Sequence, residues 1–474
     1  MKLAMLALTA GLLLSPLPWA TGHSPTAPAK SQTQLQLFDS HIKHIVVVVL
    51  ENHAFDNEFG TYCQAKGKYC PSTVVGYPAG LCAPLNPSSA SACVKPWPFT
   101  RANWTITQPM LHDQVSSLSA WNNSSDNNFY LAERSGLDPF GYYSGSTVPT
   151  YWDLAEEYGL GDNFFSSTLS YSLPNHWFLV AGQAPPISEQ FGFGDRTGGF
   201  AGNASDRATY YREANNTTSV EDLLLHHPSV SWKYYDYALQ PNLTDAQNIS
   251  AGPGHLGSAI DYWNPQAGKY ESYGHLLRKH FVWNPTFFQD AAAGNLPQLS
   301  WVIPFHLESD HPPANVTTAE SWLASVVDAV ESSPNWNSTA LFVTWDDYGG
   351  WYDQVAPPLL NGTSLSFRVP LLVISPYTPA GTVDSSQGYF ESLLHLMEVR
   401  EKLGCITPRD CYAPLPLGFF NFSMRPRAPL AFSTNATGAT YPMALQAPDA
   451  PWQAVPFSVS SYFANDHGDG ADVD

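Results

Sequence analysis

The sequence predicts an α/β protein, a mostly parallel sheet sandwiched by helices with a loop-rich insertion over the sheet's carboxyl edge. Three observations carry this expectation. Short runs rich in β-branched residues recur along the chain, helical patterns separate them, and 474 residues are enough to bury a sizeable core.

The strands, in order, are HIVVVVL (44–50), LSWVIPF (299–305), ALFVTWD (340–346) and VPLLVIS (369–375). Each is short, bounded by polar residues or Pro, and reads as a parallel strand covered on both faces. The helical patterns are TYWDLAEEYGL (150–160), SVEDLLLHH (219–227), AESWLASVVDAVESS (319–333) and SLLHLMEVREKLG (392–404). In the third, Trp322, Val326, Val327, Ala329 and Val330 gather on one side of a 3.6-residue period. The Gly-, Pro- and Tyr-rich stretches 61–110 and 185–290 read as insertions, and no internal repeat is visible.

The N-terminus MKLAMLALTAGLLLSPLPWATG has one early charge at Lys2, an apolar stretch to about Leu17 and small residues around Ala20 to Gly22. That is the shape of a secretory signal peptide and too short for a stable membrane span. The expected organisation is a signal peptide over 1–22, a flexible lead-in over 23–41, one domain over 42–430 and a C-terminal tail over 431–474. The chain is therefore expected to be extracellular.

Six cysteines fall in close pairs, Cys63 with Cys70, Cys82 with Cys93 and Cys405 with Cys411. An even count in an exported chain favours disulfides, and neighbour pairing is the expectation among the possible connectivities. A structural zinc site is the rival, but CxxC spacing is absent. Sequons at Asn103, Asn203, Asn242, Asn248, Asn315, Asn337, Asn361, Asn421 and Asn435 predict a glycosylated surface in a host that glycosylates. Charged residues make up only 13% of the chain, against roughly 25% in an average protein, and the formal charge is −20. That balance excludes nucleic acid as the expected partner, because phosphate contacts need clustered Lys and Arg. Low charge density also suits an acidic medium.

Chemistry concentrates at strand ends. Ligand sites in parallel sheets gather outside the carboxyl ends of the strands. Glu51 and Asn52 follow the first strand directly, and Asp346 and Asp347 follow the third. His306, Asp310 and His311 follow the second in FHLESDHPP. Singly, each could be a helix cap or turn chemistry. Together they form an oxygen-rich set suited to one hard or borderline divalent cation.

These residues stand in segments that resemble a family of phosphoesterases, the one that includes bacterial phospholipases C and a secreted acid phosphatase. The matching segments include IVVVVLENHAFDNEFG, GDNFFSSTLSYSLPNHWFLVAG, VTWDDYGGWYDQVAPP and RVPLLVISPY, spread over about residues 42–430. The resemblance implies an alkaline-phosphatase-like core and a metal held by Glu51, Asn52, Asp346, Asp347 and the nucleophile. It places that nucleophile at Ser172, with His112 and His311 as catalytic imidazoles and Asp310 and His176 beside the substrate. A serine hydroxyl needs a base or a cation beside it to attack phosphorus, so the set is chemically coherent. Imidazolium donors would bias activity toward acid pH.

Some positions depart from the family pattern. Gln354 stands where many phospholipase C members carry His, and Tyr389-Phe390 stands where they carry Asp-His. His176 occupies a position where Arg is common. The expected function is a metal-dependent phosphoric ester hydrolase working through a phosphoserine, foremost an acid phosphatase. Phospholipase C, with contact to a membrane surface, is the alternative. A non-catalytic surface glycoprotein is the rival from another class.

Overall fold

The computed structural model describes residues 29–66, 76–89, 92–99, 110–133, 135–186, 213, 216–236, 280–304 and 308–430. The expected signal peptide, the C-terminal tail, His306, Cys70 and the sequons at Asn103, Asn203, Asn242, Asn248 and Asn435 lie outside them.

In chain order the elements that build the core begin with helix α1 (Ala29–His41), strand β1 (His44–Leu50) and the short helix α2 (Phe55–Phe59). Then come α3 (Gln114–Trp121), α4 (Phe129–Ala132), α5 (Pro149–Glu157), β2 (Gly159–Gly161), α6 (Ser172–Ala181) and α7 (Val220–Leu225). They are followed by β3 (Trp232–Asp236), β4 (Phe281–Trp283), α8 (Thr286–Ala293), β5 (Leu299–Val302) and α9 (Val316–Glu331). Last are β6 (Thr339–Trp345), β7 (Leu371–Ile374), β8 (Thr382–Asp384) and α10 (Phe390–Glu401).

Eight strands form one sheet in the order β8-β2-β7-β6-β1-β5-β3-β4. Every neighbouring pair is parallel except the two that involve β7, which is antiparallel to both β6 and β2. The four strands read from the sequence are all in this sheet. The exception to the parallel expectation has a physical reason: residues 346–370, between β6 and β7, contain no helix. Parallel neighbours are usually joined through a crossover helix, and this connection has none.

Residues of β5, β6 and β7 are buried one after another, and β1 is buried from Ile45 onward, so both faces of the sheet are covered. Helices α5 and α8 pack against α9, α6 packs against α7 and α10, and α3 packs against α4. The sandwich is thus as the alternation of patterns predicts.

Three sequence expectations shift. The lead-in is helical over α1, whose Phe38 is fully buried against Phe420 and Phe422. The expected insertion over 185–290 contains α7 and two core strands, β3 and β4. Gly159 and Leu160, expected at the end of a helix, lie in strand β2. Disulfides Cys82–Cys93 and Cys405–Cys411 form as expected. Of the sequons named above, Asn315, Asn337, Asn361 and Asn421 are described, and all four are exposed.

Buried acids set how the fold responds to pH. Burial pushes the carboxyl of Glu331 up to about 7, of Glu221 up to about 8 and of Glu398 up to about 9. In each case the folded state holds a proton that an unfolded carboxyl, with a pKa of about 4.3, releases. The stabilisation is therefore complete below the unfolded pKa and is lost as pH rises through the folded one. We expect the melting temperature at constant metal to fall by several degrees from about pH 4.5 to about pH 8, and Glu398→Gln to flatten that slope in thermal unfolding.

Candidate active site

Parallel register brings the first two site elements side by side. Leu50 at the end of β1 is level with Trp345 at the end of β6, so Glu51-Asn52 and Asp346-Asp347 leave the sheet at the same height. Asn52 turns the chain with a left-handed φ of 59°, and its backbone N–H donates to Asp346 Oδ1 at 2.9 Å. The Asp347 N–H donates to the same oxygen at 2.8 Å. Asp347 Oδ1 in turn accepts from the Gly349 N–H at 2.7 Å. A Cβ on Gly349, where φ is 59°, would stand 2.1 Å from the Asn52 carbonyl oxygen, so only glycine lets the two turns close together.

Ser172 is delivered by the first residue of α6, buried among these groups. Its Oγ lies 2.9 Å from Glu51 Oε2, 3.2 Å from Asn52 Oδ1 and 3.4 Å from Asp347 Oδ2. One helical turn later, His176 presents Nε2 at 3.3 Å from Glu51 Oε1 and 3.6 Å from Asp346 Oδ2. The i, i+4 spacing puts Ser172 and His176 on one face of α6. His112 places Nε2 3.8 Å from Asp347 Oδ2, while its Nδ1–H donates to the Met110 carbonyl at 2.7 Å. That bond fixes the ring so that Nε2 faces the carboxylates.

The structure therefore gathers Glu51, Asn52, Ser172, His176, Asp346, Asp347 and His112. His311 is buried, with Nδ1 2.5 Å from the Pro312 carbonyl oxygen. Asp310, expected beside the substrate, turns its carboxylate elsewhere: Oδ2 accepts from Tyr151 Oη and Trp345 Nε1, each at 3.0 Å, and Oδ1 lies 3.8 Å from His53 Nε2. The cause is its left-handed backbone, φ 79°, in the loop after β5.

Electrostatics fit a cation at the strand ends. Glu51, Asp346 and Asp347 are at most 1% exposed, and burial together with the charge of Glu51 holds the Asp346 carboxyl well above the usual carboxylate range. Among the described residues, no hydrogen bond reaches Asp346 Oδ2. One ligand atom each from Glu51, His176 and Asp346 can converge within 4.8 Å of one another. Such a donor set, oxygens with one imidazole, suits a borderline divalent ion. His176 is thus a candidate ligand, which sequence reading had placed only at the substrate. The available signal was its spacing from Ser172.

The outer aspartates of the two motifs have a structural task. Asp56 and Asp353 both meet the buried Arg368, at 3.1 and 2.8 Å, and Asp353 also accepts from the Asp56 N–H at 3.1 Å. Arg368 additionally donates to the Asp162 carbonyl at 2.8 Å. The triad locks the two site-bearing turns to the strand leading into β7. Gln354, at a position where the family pattern varies, donates its backbone N–H to Asp56 Oδ2 at 2.9 Å.

Comparison with known proteins identifies the family. The model of the Phosphoesterase family matches residues 42–404. The chain is 25% identical over 436 residues to phospholipase C A of Mycobacterium tuberculosis, covering 82% of this chain and 78% of the relative. It is 27% identical over 452 residues to phospholipase C B of the same organism, covering 81% and 78%. Among solved structures it is similar to an alkaline phosphatase superfamily protein from Vibrio parahaemolyticus, with a TM-score of 0.31 at 11% identity, covering 79% of this chain and 78% of that one. The chain belongs to the Phosphoesterase family and is a phosphoric ester hydrolase.

Proposed function

We propose that hydrolysis runs through a phosphoserine on Ser172 and that the preferred substrate is a phospholipid, cleaved on the phospholipase C side of the phosphate. The observation that carries the first part is the position of Ser172 Oγ, 2.9 Å from Glu51 Oε2 at the mouth of three buried carboxylates. A single divalent ion held by Glu51, Asn52, Asp346 and Asp347, with Ser172 and His176 beside it, would supply Lewis acidity and lower the pKa of the serine hydroxyl.

The chain's own groups do the rest. Ser172 passes its hydroxyl proton to Glu51 Oε2, to which Oγ donates at 2.9 Å, and Oγ attacks phosphorus; the O–P bond forms as the bond to the leaving alcohol breaks. An N–H at Nε2 of His112 hydrogen-bonds a phosphoryl oxygen or protonates the departing alkoxide, a role His311 shares. Water then attacks the phosphoserine, releasing the phosphate product and restoring the hydroxyl. Ser172 opens α6, so the positive end of the helix dipole favours the anionic group at the serine.

For the substrate, exposed apolar residues on the two helices that follow His112 in the chain support a lipid. Val115 and Leu118 on α3, and Tyr130 and Leu131 on α4, are 49%, 46%, 36% and 52% exposed, and the two helices pack together. The relatives above are named as phospholipases C. The second reading, a monoester-cleaving acid phosphatase, rests on Gln354 and Tyr389-Phe390, where the pattern common in phospholipases C is lost. Export of the chain is part of both readings; among the described residues no helix is long and apolar enough to cross a membrane.

Hydrolysis of an aryl phosphate, an aryl phosphocholine and phosphatidylcholine vesicles, from pH 3 to pH 8, separates the readings. The proposal expects turnover of vesicles, weakened by Leu118→Ser with Leu131→Ser while soluble phosphocholine cleavage persists. Fast cleavage of the monoester alone would move the assignment to acid phosphatase, and turnover of none would favour a surface glycoprotein without catalysis.

A further inference from the structure

Ser172 follows a segment, residues 166–171, that is neither helix nor strand, so the place of its Oγ depends on what holds that segment. Part of the hold comes from α6 itself. Asn175 Oδ1 accepts from the N–H groups of Ser167 and Thr168, at 3.0 and 3.1 Å. Its Nδ2–H group donates to the carbonyls of Thr168, Ser170 and Tyr171, at 3.2, 3.0 and 3.1 Å. These bonds join the segment to the helix it feeds, and none of them ties the pair to the rest of the fold.

An outer anchor comes from far along the chain. Arg409 Nη2 donates to the Ser167 carbonyl at 2.7 Å, and its Nε forms an ion pair with Oε1 of Glu391, the second residue of α10. Glu391 Oε2 accepts from Ser167 Oγ at 2.5 Å, so guanidinium and carboxylate grip one residue by its backbone and its side chain. The guanidinium also lies over the ring of Phe178 on α6, 4.6 Å from its centroid. A planar fork serves a carboxylate, a carbonyl and a ring at once, as the point charge of an ammonium does not. Glu391 and Ser167 are fully buried. Burial raises the Glu391 carboxyl, and Arg409 and the Ser167 hydroxyl act against the rise.

Arg409 is itself held in place. It lies on the single helical turn Pro408–Cys411, inside the loop closed by the Cys405–Cys411 disulfide. Asp410 pins that loop from within, accepting from the N–H groups of Ile406, Thr407 and Cys411 at 2.7, 2.7 and 2.9 Å. The loop lies close against the end of α6: a Cβ on Gly182, where φ is 60°, would stand 3.0 Å from Thr407 Oγ1. Part of the entropy that a long side chain loses in an ion pair is therefore already lost when the loop forms.

Granting Ser172 as the attacking group, we infer that Arg409 is a positioning residue for catalysis: with Glu391 it clamps Ser167 and so fixes where Ser172 Oγ meets phosphorus. Its contacts are with Ser167, Glu391 and Phe178, none of them a residue of the site, so its loss is expected to spare binding and slow the attack.

Acid quench of the full chain during turnover of an aryl phosphate or aryl phosphocholine, whichever the wild type cleaves, tests this beside KM, metal content and thermal unfolding. Arg409→Met is expected to form phosphoserine about 10²-fold more slowly than the wild type, with KM and metal content within about twofold and the fold intact at the assay temperature. Arg409→Lys, which keeps the charge facing Glu391 but not the fork, is expected to fall between the two. Should Arg409→Met fail to fold, Ser167→Ala removes only the hydroxyl that Glu391 accepts, and is expected to slow phosphoserine formation by about tenfold with the same split. Phosphoserine formed at the wild-type rate in these variants would overturn the inference. A fall in rate matched by an equal loss of metal or of folded protein would overturn it too, leaving the arginine a structural tie. No phosphoserine in the wild type would instead sink the reading of Ser172, and this inference with it.

Discussion

Ser172→Ala is expected to lower kcat by about 10⁴-fold or more on every substrate that the wild type cleaves, because it removes the atom that attacks phosphorus. The substitution should leave the fold intact. Ser172 is the first residue of α6, and Tyr171, in extended conformation, is the residue that caps the helix. What is lost is one oxygen among Glu51, Asn52 and Asp347. Metal content should therefore stay close to that of the wild type while turnover disappears, as read by steady-state kinetics beside plasma mass spectrometry. Retention of more than about a tenth of the wild-type rate would point to water as the direct nucleophile.

Asp346→Asn is expected to remove the strand-end metal and with it at least about 10³ in kcat/KM, the scale of several kcal/mol of charge stabilisation at phosphorus. The amide can still accept from the N–H groups of Asn52 and Asp347, which Asp346 Oδ1 now receives at 2.9 and 2.8 Å. The turns should hold. The change falls on Oδ2, which loses its charge next to His176 and Glu51. Added metal is expected to restore the wild type after chelation but not the variant, even at high concentration.

Much of this was legible in the sequence, because the signals were local. The strand ends could be read since a run such as HIVVVVL cannot face water on either side, and a carboxylate directly after it must sit at the sheet's edge. The pairing of Glu51 with Asp346 needed only that both strands end together. Other features depend on partners far along the chain. The reversal of β7 follows from an irregular connection whose length alone does not give direction. Strand β3 lay hidden in a Tyr- and Trp-rich stretch that resembled loop, though Trp232, Tyr234 and Tyr235 are buried. The left-handed backbone of Asp310, on which the direction of its carboxylate depends, is not visible from its position after a strand. His176, expected beside the substrate, also stands 3.3 Å from Glu51, because α6 sets it four residues beyond Ser172.

The central claim is that a serine, and not water, first takes the phosphoryl group. Acid quench of wild-type enzyme during turnover, followed by mass analysis of its peptides, tests that claim most directly. The account predicts one phosphoryl group on the peptide that carries Ser172, appearing in a burst and absent in Ser172→Ala. Rapid turnover with no phosphoserine, at the earliest quench times and in Ser172→Ala alike, would contradict it.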